Sequence, residues 1–339
     1  MAGYRIMIRA KPRGKVLIAV GKEKSTRNDI HGALQCKDSI EKVFSANGIE
    51  SEAFFIKEND FKDTARLKKK ILGINPFCVF NLFEGYGEDS QKEVTFVKLL
   101  ESANIPFTGN SCFTLSACLD KIKAKSILQK NNLPVARSIL VKNVKNIKLK
   151  GLTFPLFVKP RSEDASVGIY KDSLVYKMEQ LAPAIKKRIK HLSKGVIIEE
   201  FLPGKEYSVA FLGNDCYEVL GVSEIDYSRY EGFSPFLTYN AKWETKTREY
   251  NVVMPDYEPK INKNLKKDII NLSGKAARAL GCRGYFRVDL REKHGNFFIM
   301  DINPNPDINK DSGYMKLAYS SGYTYETIIE RIVHLADYH

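Results

Sequence analysis

Two short polar segments inside apolar stretches near the C-terminus constrain the fold of this chain more than any other feature. The sequence reads Arg-Val-Asp at 287–289 and Asp-Ile-Asn-Pro at 301–304, each beside Phe, Ile, Leu or Met. The polar segment 291–296 between them contains Gly and Asn, which favour a reverse turn. The sequence therefore predicts a hairpin of two apolar strands, each with polar residues at alternate positions.

Side chains alternate between the two faces of a strand, so Arg287 and Asp289 of the first polar segment share a face. Asp301 and Asn303 of the second polar segment share a face for the same reason. Pairing of the strands would then bring three oxygen donors and one guanidinium together. Such hard oxygen ligands suit Mg²⁺ bound together with a nucleotide phosphate. A hairpin with an ordinary polar face is the alternative, although charged groups are costly between apolar neighbours.

The composition is that of a globular protein with two or three domains. The chain has 339 residues, of which 43% are hydrophobic and 28% charged. We expect no membrane span, because no run of 18 apolar residues occurs, and no signal peptide is evident. Six cysteines lie without metal-type spacing, which fits reduced thiols in the cytoplasm.

The net charge of +14 makes nucleic-acid binding a legitimate hypothesis. The basic clusters, however, punctuate helix-like segments at 66–70, 121–125 and 186–190, and no known nucleic-acid module accompanies them. A solvated basic surface is the favoured explanation, and such a surface would also attract anionic substrates. Nucleic acid is therefore not the expected partner.

The first 110 residues or so alternate between strand and helix patterns. Strands are predicted at 15–21, 51–56 and 77–82, and helices at 30–47 and 63–72. This alternation indicates a parallel sheet with crossover helices. Ligands of such sheets bind beyond the carboxyl ends of the strands. The acidic residues near that edge either line a substrate side or cap the following helix; they are Glu84, Glu88, Asp89 and Glu93.

Beyond this region the patterns change. A helix is predicted at 115–130, a strand at 154–159 followed by a loop to 168, and a strand at 196–200. An amphipathic helix at 260–280 precedes the hairpin.

Several short motifs are suited to binding a nucleotide. Lys159 ends a strand before a loop with small residues, where a lysine and backbone N–H groups can bind phosphate. The backbone of 199–202 continues a strand and could hydrogen-bond an adenine edge. Glu206, beyond Pro-Gly, could accept a ribose hydroxyl. Each motif alone has an equally good structural explanation, so their order in the chain is the evidence.

That order resembles the ATP-grasp superfamily, and within it the D-alanine–D-alanine ligase branch. It runs from Asp-Lys at 120–121 through Val-Lys-Pro at 158–160 and Glu-Glu-Phe-Leu at 199–202 to the two polar segments of the hairpin. The resemblance covers about 80–336. It implies an α/β chain with α+β lobes, in which an ATP-grasp fold follows an N-terminal Rossmann-like domain. We expect that domain at 1–118, a central lobe at 119–195 and a C-terminal lobe at 196–339.

The resemblance also implies cofactors and residue roles. ATP and Mg²⁺ (or Mn²⁺) would be bound. ATP would be bound by Lys121, Lys159, Glu199, Glu200, Leu202, Glu206 and Lys242. The metal would be bound by Asp289, Asp301 and Asn303. Catalysis would fall to Arg287, Ser166 and Lys242. Substrate contacts would come from Asp307, Ser312, Trp243 and Glu23.

The chain departs from the branch where the first substrate would bind. Ala165 stands where the branch has a serine in the phosphate loop. Trp243 stands where the branch has a tyrosine on a mobile loop that closes over the γ-phosphate. Glu23 only loosely matches a glutamate that the branch has near its N-terminus. Losing both hydroxyls argues for a changed substrate. Asp307 replaces a glycine, and it either anchors an ammonium group or caps a turn.

The resemblance therefore implies an ATP-dependent ligase that forms an amide bond through an acyl phosphate. Its expected partners are small amino acids or peptides, of undetermined chirality, and a second copy of the chain in a homodimer. A dipeptide ligase with substrates other than D-alanine and a non-catalytic ATP-binding regulator are the alternatives.

Overall fold

The structure is a computed structural model that describes residues 14–22, 28–86, 89–144, 147–162, 166–189 and 195–336, without the side chains of 28–31 and 243. The chain divides into two compact units. One comprises Met1–Cys112, Ile308–Ser312 and Thr324–His339, and the other Phe113–Asp307 and Gly313–Tyr323.

Helices and strands of the described ranges are numbered in chain order. The strands are β1 (Val16–Gly21), β2 (Ser51–Ile56), β3 (Cys78–Asn81), β4 (Ser138–Val141), β5 (Leu156–Pro160), β6 (Leu174–Val175), β7 (Val196–Glu200), β8 (Glu206–Leu212), β9 (Glu218–Ile225), β10 (Tyr285–Lys293) and β11 (Asn296–Asn303). The α-helices are α1 (Asn28–Ala46), α2 (Thr64–Ile74), α3 (Gln91–Ser102), α4 (Cys112–Leu119), α5 (Lys121–Lys130), α6 (Met178–Ile189), α7 (Tyr239–Trp243), α8 (Arg248–Val252), α9 (Lys263–Ala279), α10 (Gly313–Ser320) and α11 (Tyr325–Leu335). Short 3₁₀ helices occupy Glu58–Lys62, Lys171–Ser173 and Tyr227–Arg229.

The first unit contains a parallel sheet with strand order β2-β1-β3. The central strand β1 is apolar and almost entirely buried, because neighbours cover both of its edges and helices connect it to the next strands. The predicted parallel sheet with crossover helices is confirmed for this unit.

The second unit contains two antiparallel sheets. One has strand order β4-β7-β5-β6 and the other β11-β10-β8-β9. The predicted amphipathic helix is α9, whose buried residues Ile269 and Ala276 pack in one core with Val288 and Ile302 of the second sheet. The apolar face of the hairpin of β10 and β11 is thus packed in this core.

The helix predicted at 115–130 is in fact two helices that meet at Asp120. The backbone of Asp120 is extended (φ −105°, ψ 97°), and its carboxylate accepts hydrogen bonds from the N–H groups of Ile122 and Lys123. This is an N-cap, which ends one helix geometry and begins another. The break places Lys121 at the first position of α5.

The hairpin has the predicted strands but a different turn. The strands extend to Lys293 and from Asn296, so the turn is only His294 and Gly295, with φ angles of 53° and 76°. Two consecutive positive φ values are those of a type I′ turn, whose twist suits a tight hairpin. The predicted turn at 291–296 was therefore too long by three residues at its start and by one at its end.

A bulge in β11 decides which side chains face each other. Asp289 lies opposite Asp301, but Leu290 lies opposite Ile299, so Met300 is an extra residue. Regular pairing counted back from the turn would instead oppose Asp289 to Met300 and turn Asp301 to the other face. The bulge is what brings the two carboxylates together.

Candidate active site

A cleft within the second unit collects most of the residues that the sequence singles out. It contains about 940 Å³ of atom-free space, including its open mouth. Its predicted lining residues are Lys121, Lys159, Ser166, Glu199, Glu200, Leu202, Glu206, Lys242, Arg287, Asp289, Asp301 and Asn303. The residues that sequence reasoning missed are Phe157, Ile169, Phe201, Phe236, Leu237, Arg291 and Met300. Both antiparallel sheets contribute to this lining.

One end of the cleft carries the carboxylate of Asp289, surrounded by donors. Arg287 donates to it through Nε (2.8 Å) and Nη2 (2.9 Å), Ser208 through its hydroxyl (2.7 Å), and Asn303 through Nδ2 (2.8 Å). Burial favours the neutral acid, but Arg287 outweighs it and lowers the pKa of Asp289. The pair is thus held in its charged form.

The second carboxylate of this end, Asp301, forms an ion pair with Lys121 (Oδ2 to Nζ, 3.0 Å). Asp301 lies directly opposite Asp289, and Asn303 lies opposite Arg287. Two carboxylates and one amide oxygen are hard ligands of the kind that Mg²⁺ and Mn²⁺ accept. Throughout the described ranges, no three His, Cys, Asp or Glu side chains form a metal-like group, so the donor set here needs the asparagine and further oxygens from a ligand.

A buried set of three charges includes two residues of the cleft lining, Lys159 and Glu199. Glu199 forms ion pairs with Lys159 (Oε1 to Nζ, 2.8 Å) and with Lys125 (Oε2 to Nζ, 2.8 Å). Burial opposes ionisation, yet the two lysines together lower the pKa of Glu199 to about 2. Lys125 was not predicted, although it lies four residues after Lys121 in α5 and therefore on the same helix face.

The other end of the cleft is apolar. Phe157, Phe201 and Phe236 pack in one cluster, with ring centroids 4.9 Å apart between Phe157 and Phe236. Flat aromatic and aliphatic walls beside exposed backbone groups suit a planar heterocycle. Glu200, at the end of β7, pairs with Lys293 at 3.5 Å.

Glu206 begins β8 at the edge of the apolar end. Its Oε2 accepts hydrogen bonds from the Tyr227 hydroxyl (2.8 Å) and from Arg291 Nη1 (3.4 Å). Burial raises the pKa of Glu206, and Arg291 opposes that shift. Sequence reasoning missed Arg291 because it was placed in the turn; extending the alternation of β10 by one step would have put it on the face of Arg287.

Lys242 lies in α7, a short helix whose N-cap is the Thr238 hydroxyl. The N–H of Tyr239 donates to the carbonyl of Ile169 (2.8 Å), just beyond the phosphate-binding loop predicted from the sequence. The helix that carries Lys242 is therefore attached to the segment after Ser166. Lys242 also contributes to the lowered pKa of Asp289.

Of the four predicted substrate residues, the two whose side chains the structure describes, Asp307 and Ser312, are not part of this lining. Asp307 is exposed and Ser312 belongs to the other compact unit. The side chain of Trp243 and all of Glu23 lie outside the described residues, as does Ala165. Their roles stay predictions. In the part of the chain that the structure describes, no helix is long and apolar enough to cross a membrane.

Comparisons with known proteins identify the family of this chain. Residues 124–334 match the family described as D-ala D-ala ligase C-terminus. The D-alanine–D-alanine ligase of Glaesserella parasuis is 32% identical over 305 residues, which cover 88% of this chain and 92% of that protein. The uncharacterised protein y4sG of Sinorhizobium fredii is 32% identical over 263 residues, covering 76% of this chain and 74% of its own.

Solved structures show the same fold. The D-alanine–D-alanine ligase of Bacillus anthracis complexed with ATP superposes with a TM-score of 0.73 at 20% identity, covering 95% of this chain and 97% of that one. The VanG D-Ala:D-Ser ligase of Enterococcus faecalis gives 0.72 at 21% identity, covering 96% and 100%. The chain belongs to the D-alanine–D-alanine ligase family, the ATP-dependent carbon–nitrogen ligases with the ATP-grasp fold.

Proposed function

We propose that this protein joins the carboxylate of one small amino acid or peptide to the amine of a second, with ATP and Mg²⁺ (or Mn²⁺) bound in the cleft of the second unit. The observation that carries the proposal is the cleft itself. An apolar slot lies at one end, and three cations and two carboxylates that motif order assigns to nucleotide and metal lie around the other.

The reaction class follows from the chemistry of carboxylates. A carboxylate resists attack by an amine, so its oxygen first takes the γ-phosphoryl group of ATP and ADP leaves. The amine nitrogen then attacks the carbonyl carbon of the acyl phosphate, loses a proton, and phosphate departs. Both steps spread negative charge over oxygens, which fixed cations stabilise best where water is excluded.

We assign the residues of this chain accordingly. Lys121, Lys159 and Lys242 would bind phosphate oxygens, and Arg287 would stabilise the oxyanion of the second step, with Ser166 beside the transferred group. The backbone at Glu199, Glu200 and Leu202 would bind adenine, and Glu206 the ribose.

Asp289, Asp301 and Asn303 would hold the metal, which when bound supplies positive charge to neutralise phosphate oxygens. Before such binding, Arg287 and Lys121 neutralise the two carboxylates. Arg287 lowers the pKa of Asp289 against the effect of burial, so this carboxylate is ionised without the metal as well.

The substrate pair is the open part of the proposal. D-alanine with D-alanine is one candidate, because the family takes its name from that reaction. A different pair is favoured by Ala165 and Trp243, where the branch has hydroxyls, and by Asp307, whose carboxylate could hold an ammonium group. Ser312 and Glu23 are proposed as further substrate contacts.

The remaining expectations are proposed with the function. They are a domain at 1–118, lobes at 119–195 and 196–339, a homodimer, and a cytoplasmic location.

The test measures ADP release by the purified protein with MgATP and a panel of single and paired D- and L-amino acids and dipeptides, with products identified by mass spectrometry. We expect one coupled product. Replacing Arg287 by Gln should lower its formation about a hundredfold or more, because one charged donor to the oxyanion is lost. Arg278→Gln, in α9 and outside the cleft lining, is the matched control.

The outcomes separate the alternatives. Turnover with D-alanine alone would mean that the replaced hydroxyls are dispensable, whereas turnover with another pair alone would identify a diverged ligase. ATP binding without ADP release on any substrate would favour the non-catalytic regulator. Salt-sensitive binding of unrelated oligonucleotides, independent of ATP, would favour a nucleic-acid binder.

A further inference from the structure

Arg291 is a buried cation of the cleft to which neither motif order nor the family resemblance gives a role. It lies in β10 directly opposite Glu206 of β8 and is only 3% exposed. Burial of a guanidinium is costly unless charged or polar groups compensate it. The groups that compensate Arg291 therefore indicate what it holds in place.

Each nitrogen of the guanidinium donates to a different part of the cleft wall. Nε donates to the carbonyl of Gly204 (3.2 Å), Nη1 to the carboxylate of Glu206 (3.4 Å), and Nη2 to the carbonyl of Pro235. Gly204 lies in the connection from β7 to β8. Pro235 precedes Phe236 and Leu237, which line the apolar end. A single planar group thus joins β10 to two segments that are far apart in sequence, 204–206 and 235–237.

Aromatic rings cover the guanidinium. The ring centroids of Tyr227 and Phe201 lie 4.7 Å and 5.1 Å from its central carbon. The Tyr227 hydroxyl donates to the same oxygen of Glu206 that Arg291 contacts. A cation held by ring faces and by a fork of acceptors is fixed in orientation, as arginine permits and lysine does not.

The carboxylate of Glu206 depends on this arrangement. Arg291 is its direct cationic contact, while Arg287 acts on it from farther away, Asp289 repels it, and Tyr227 supplies one neutral hydrogen bond. A buried carboxylate needs charge compensation in order to stay ionised and to accept hydrogen bonds strongly. Without Arg291, Glu206 would lose both its charge partner and its fixed orientation.

We propose that Arg291 is a positioning residue for the nucleoside half of the substrate. It fixes the Glu206 carboxylate and the 235–237 segment so that the ribose hydroxyls of ATP are recognised. This rests on the proposed function insofar as Glu206 is taken to bind the ribose. Arg291 itself acts through Glu206 and need not touch the nucleotide.

The test compares ATP with 2′-deoxy-ATP and 3′-deoxy-ATP in wild type, Arg291→Met and Arg291→Lys. Methionine keeps much of the apolar packing between the two rings. Lysine keeps the positive charge but not the planar guanidinium with its fork of N–H donors. For wild type we expect at least one deoxynucleotide to have a KM roughly tenfold or more above that of ATP, as loss of a charged hydrogen bond implies.

In Arg291→Met the KM for ATP should rise roughly tenfold while the KM for that deoxynucleotide changes little, so the discrimination collapses. The kcat should stay within about threefold, because the reacting groups lie at the other end of the cleft. Arg291→Lys should lose part of the discrimination. Arg278→Met, in which a cation over the ring of Tyr217 is lost outside the cleft lining, should behave as wild type.

Equal increases of KM for ATP and deoxynucleotides, or a loss of kcat at unchanged KM, would overturn the proposal. Calorimetric dissociation constants for the same nucleotides, measured without amino-acid substrates, keep this test separate from ligase activity. Loss of discrimination in binding supports the role of Arg291 even if no ligated product is found. If Arg291→Met does not fold, Arg291→Lys decides, and full discrimination in that variant contradicts a need for the fork.

Discussion

At the scale of single residues, the buried set of Lys125, Glu199 and Lys159 has a consequence for stability. The Nζ of Lys125 also donates to the carbonyl of Ala136 (2.9 Å), so its position is fixed from two sides. Burial lowers the pKa of Lys125, and Glu199 opposes that shift. Removing one member of such a set leaves the others undercompensated and costs several kcal/mol.

We therefore predict that Lys125→Met lowers the free energy of unfolding at pH 7 by roughly 3 kcal/mol. The folded-state pKa of Glu199 is about 2, below its ordinary value of 4.5. The stability that this carboxylate contributes is thus present above about pH 4.5 and is lost as the pH falls toward 2. Losing one of its two cations should raise that folded-state pKa, so acid unfolding of the variant should begin at higher pH.

Denaturant titrations between pH 3 and pH 7 provide the measurement. Lys123→Met is the matched control, because Lys123 lies in the same helix but is exposed, and among the described residues its Nζ contacts the Ser116 hydroxyl and the ring of Phe113. A surface change of this kind should stay within about 0.5 kcal/mol. Equal effects of the two substitutions would show that the buried charges contribute nothing special.

At the scale of elements, the hairpin shows which features the alternation of polar and apolar residues can predict and which it cannot. Period-two alternation correctly predicted that Arg287 and Asp289 share a face, and that Asp301 and Asn303 do, since these positions depend only on strand geometry. The pairing across the hairpin depends also on the turn length and on the bulge at Met300. The alternation encodes neither the turn length nor the bulge. The proximity of the two carboxylates was therefore predicted, but the bulge that produces it was not.

Residues that were missed share a different cause. The contacts of Arg291 join positions 56 and 87 residues apart in sequence, and the partner of Lys125 lies in β7. Spacing along one element could have placed Arg291 and Lys125 on the correct faces, but it cannot predict their partners, because these contacts join segments that are distant in sequence. Motif order, taken from the family resemblance, supplied the cleft residues that were predicted.

The loop that is proposed to bind phosphate allows a prediction at this scale. Gly168 has φ +75°, and a Cβ there would lie 2.6 Å from Cγ of Pro160, in the rigid ring that follows Lys159. Gly168→Ala should therefore add a steric clash to the backbone strain and displace the loop from Lys159. We expect a lower free energy of unfolding by roughly 2 kcal/mol or more and a clear rise in the KM for ATP.

Gly232→Ala is the matched control for this loop. Its φ of +79° is similar, but a Cβ at Gly232 meets nothing within 4 Å. It should show only the backbone cost, of about 1 kcal/mol, and an unchanged KM. Thermal unfolding and initial-rate kinetics on both variants separate the clash from the strain. A KM for ATP that is unaffected by Gly168→Ala would contradict a nucleotide role for this loop.

At the scale of the whole molecule, the residues proposed to bind the nucleotide lie within one compact unit, whereas the proposed substrate residues are spread over both. Glu23 and Ser312 belong to the first unit, and Trp243 and Asp307 to the second. Nucleotide binding should therefore be measurable independently of the substrate pair. The net charge of +14 favours binding of polyanions of any kind, so only residue-specific effects identify ATP as the ligand.

Thermal unfolding of the intact chain gives that separation. A ligand at a hundredfold excess over its dissociation constant stabilises the folded state by about 2.7 kcal/mol, which should raise the Tm by roughly 5 °C. We expect MgATP to produce this shift in wild type and in Arg287→Gln, which loses a stabiliser of the reaction but keeps the nucleotide lysines.

Lys159→Met should abolish most of the shift, because its Nζ is the buried cation at the end of β5 where phosphate would bind. Each variant is compared with its own nucleotide-free Tm, since the substitution also alters the pairing of Glu199. Lys171→Met, at an exposed lysine paired with Glu249 just beyond the loop, should retain the full shift. If Lys159→Met and Lys171→Met lose the shift equally, ATP is attracted by the general basic charge rather than bound by Lys159. A full shift in Lys159→Met would place the phosphates elsewhere in the molecule.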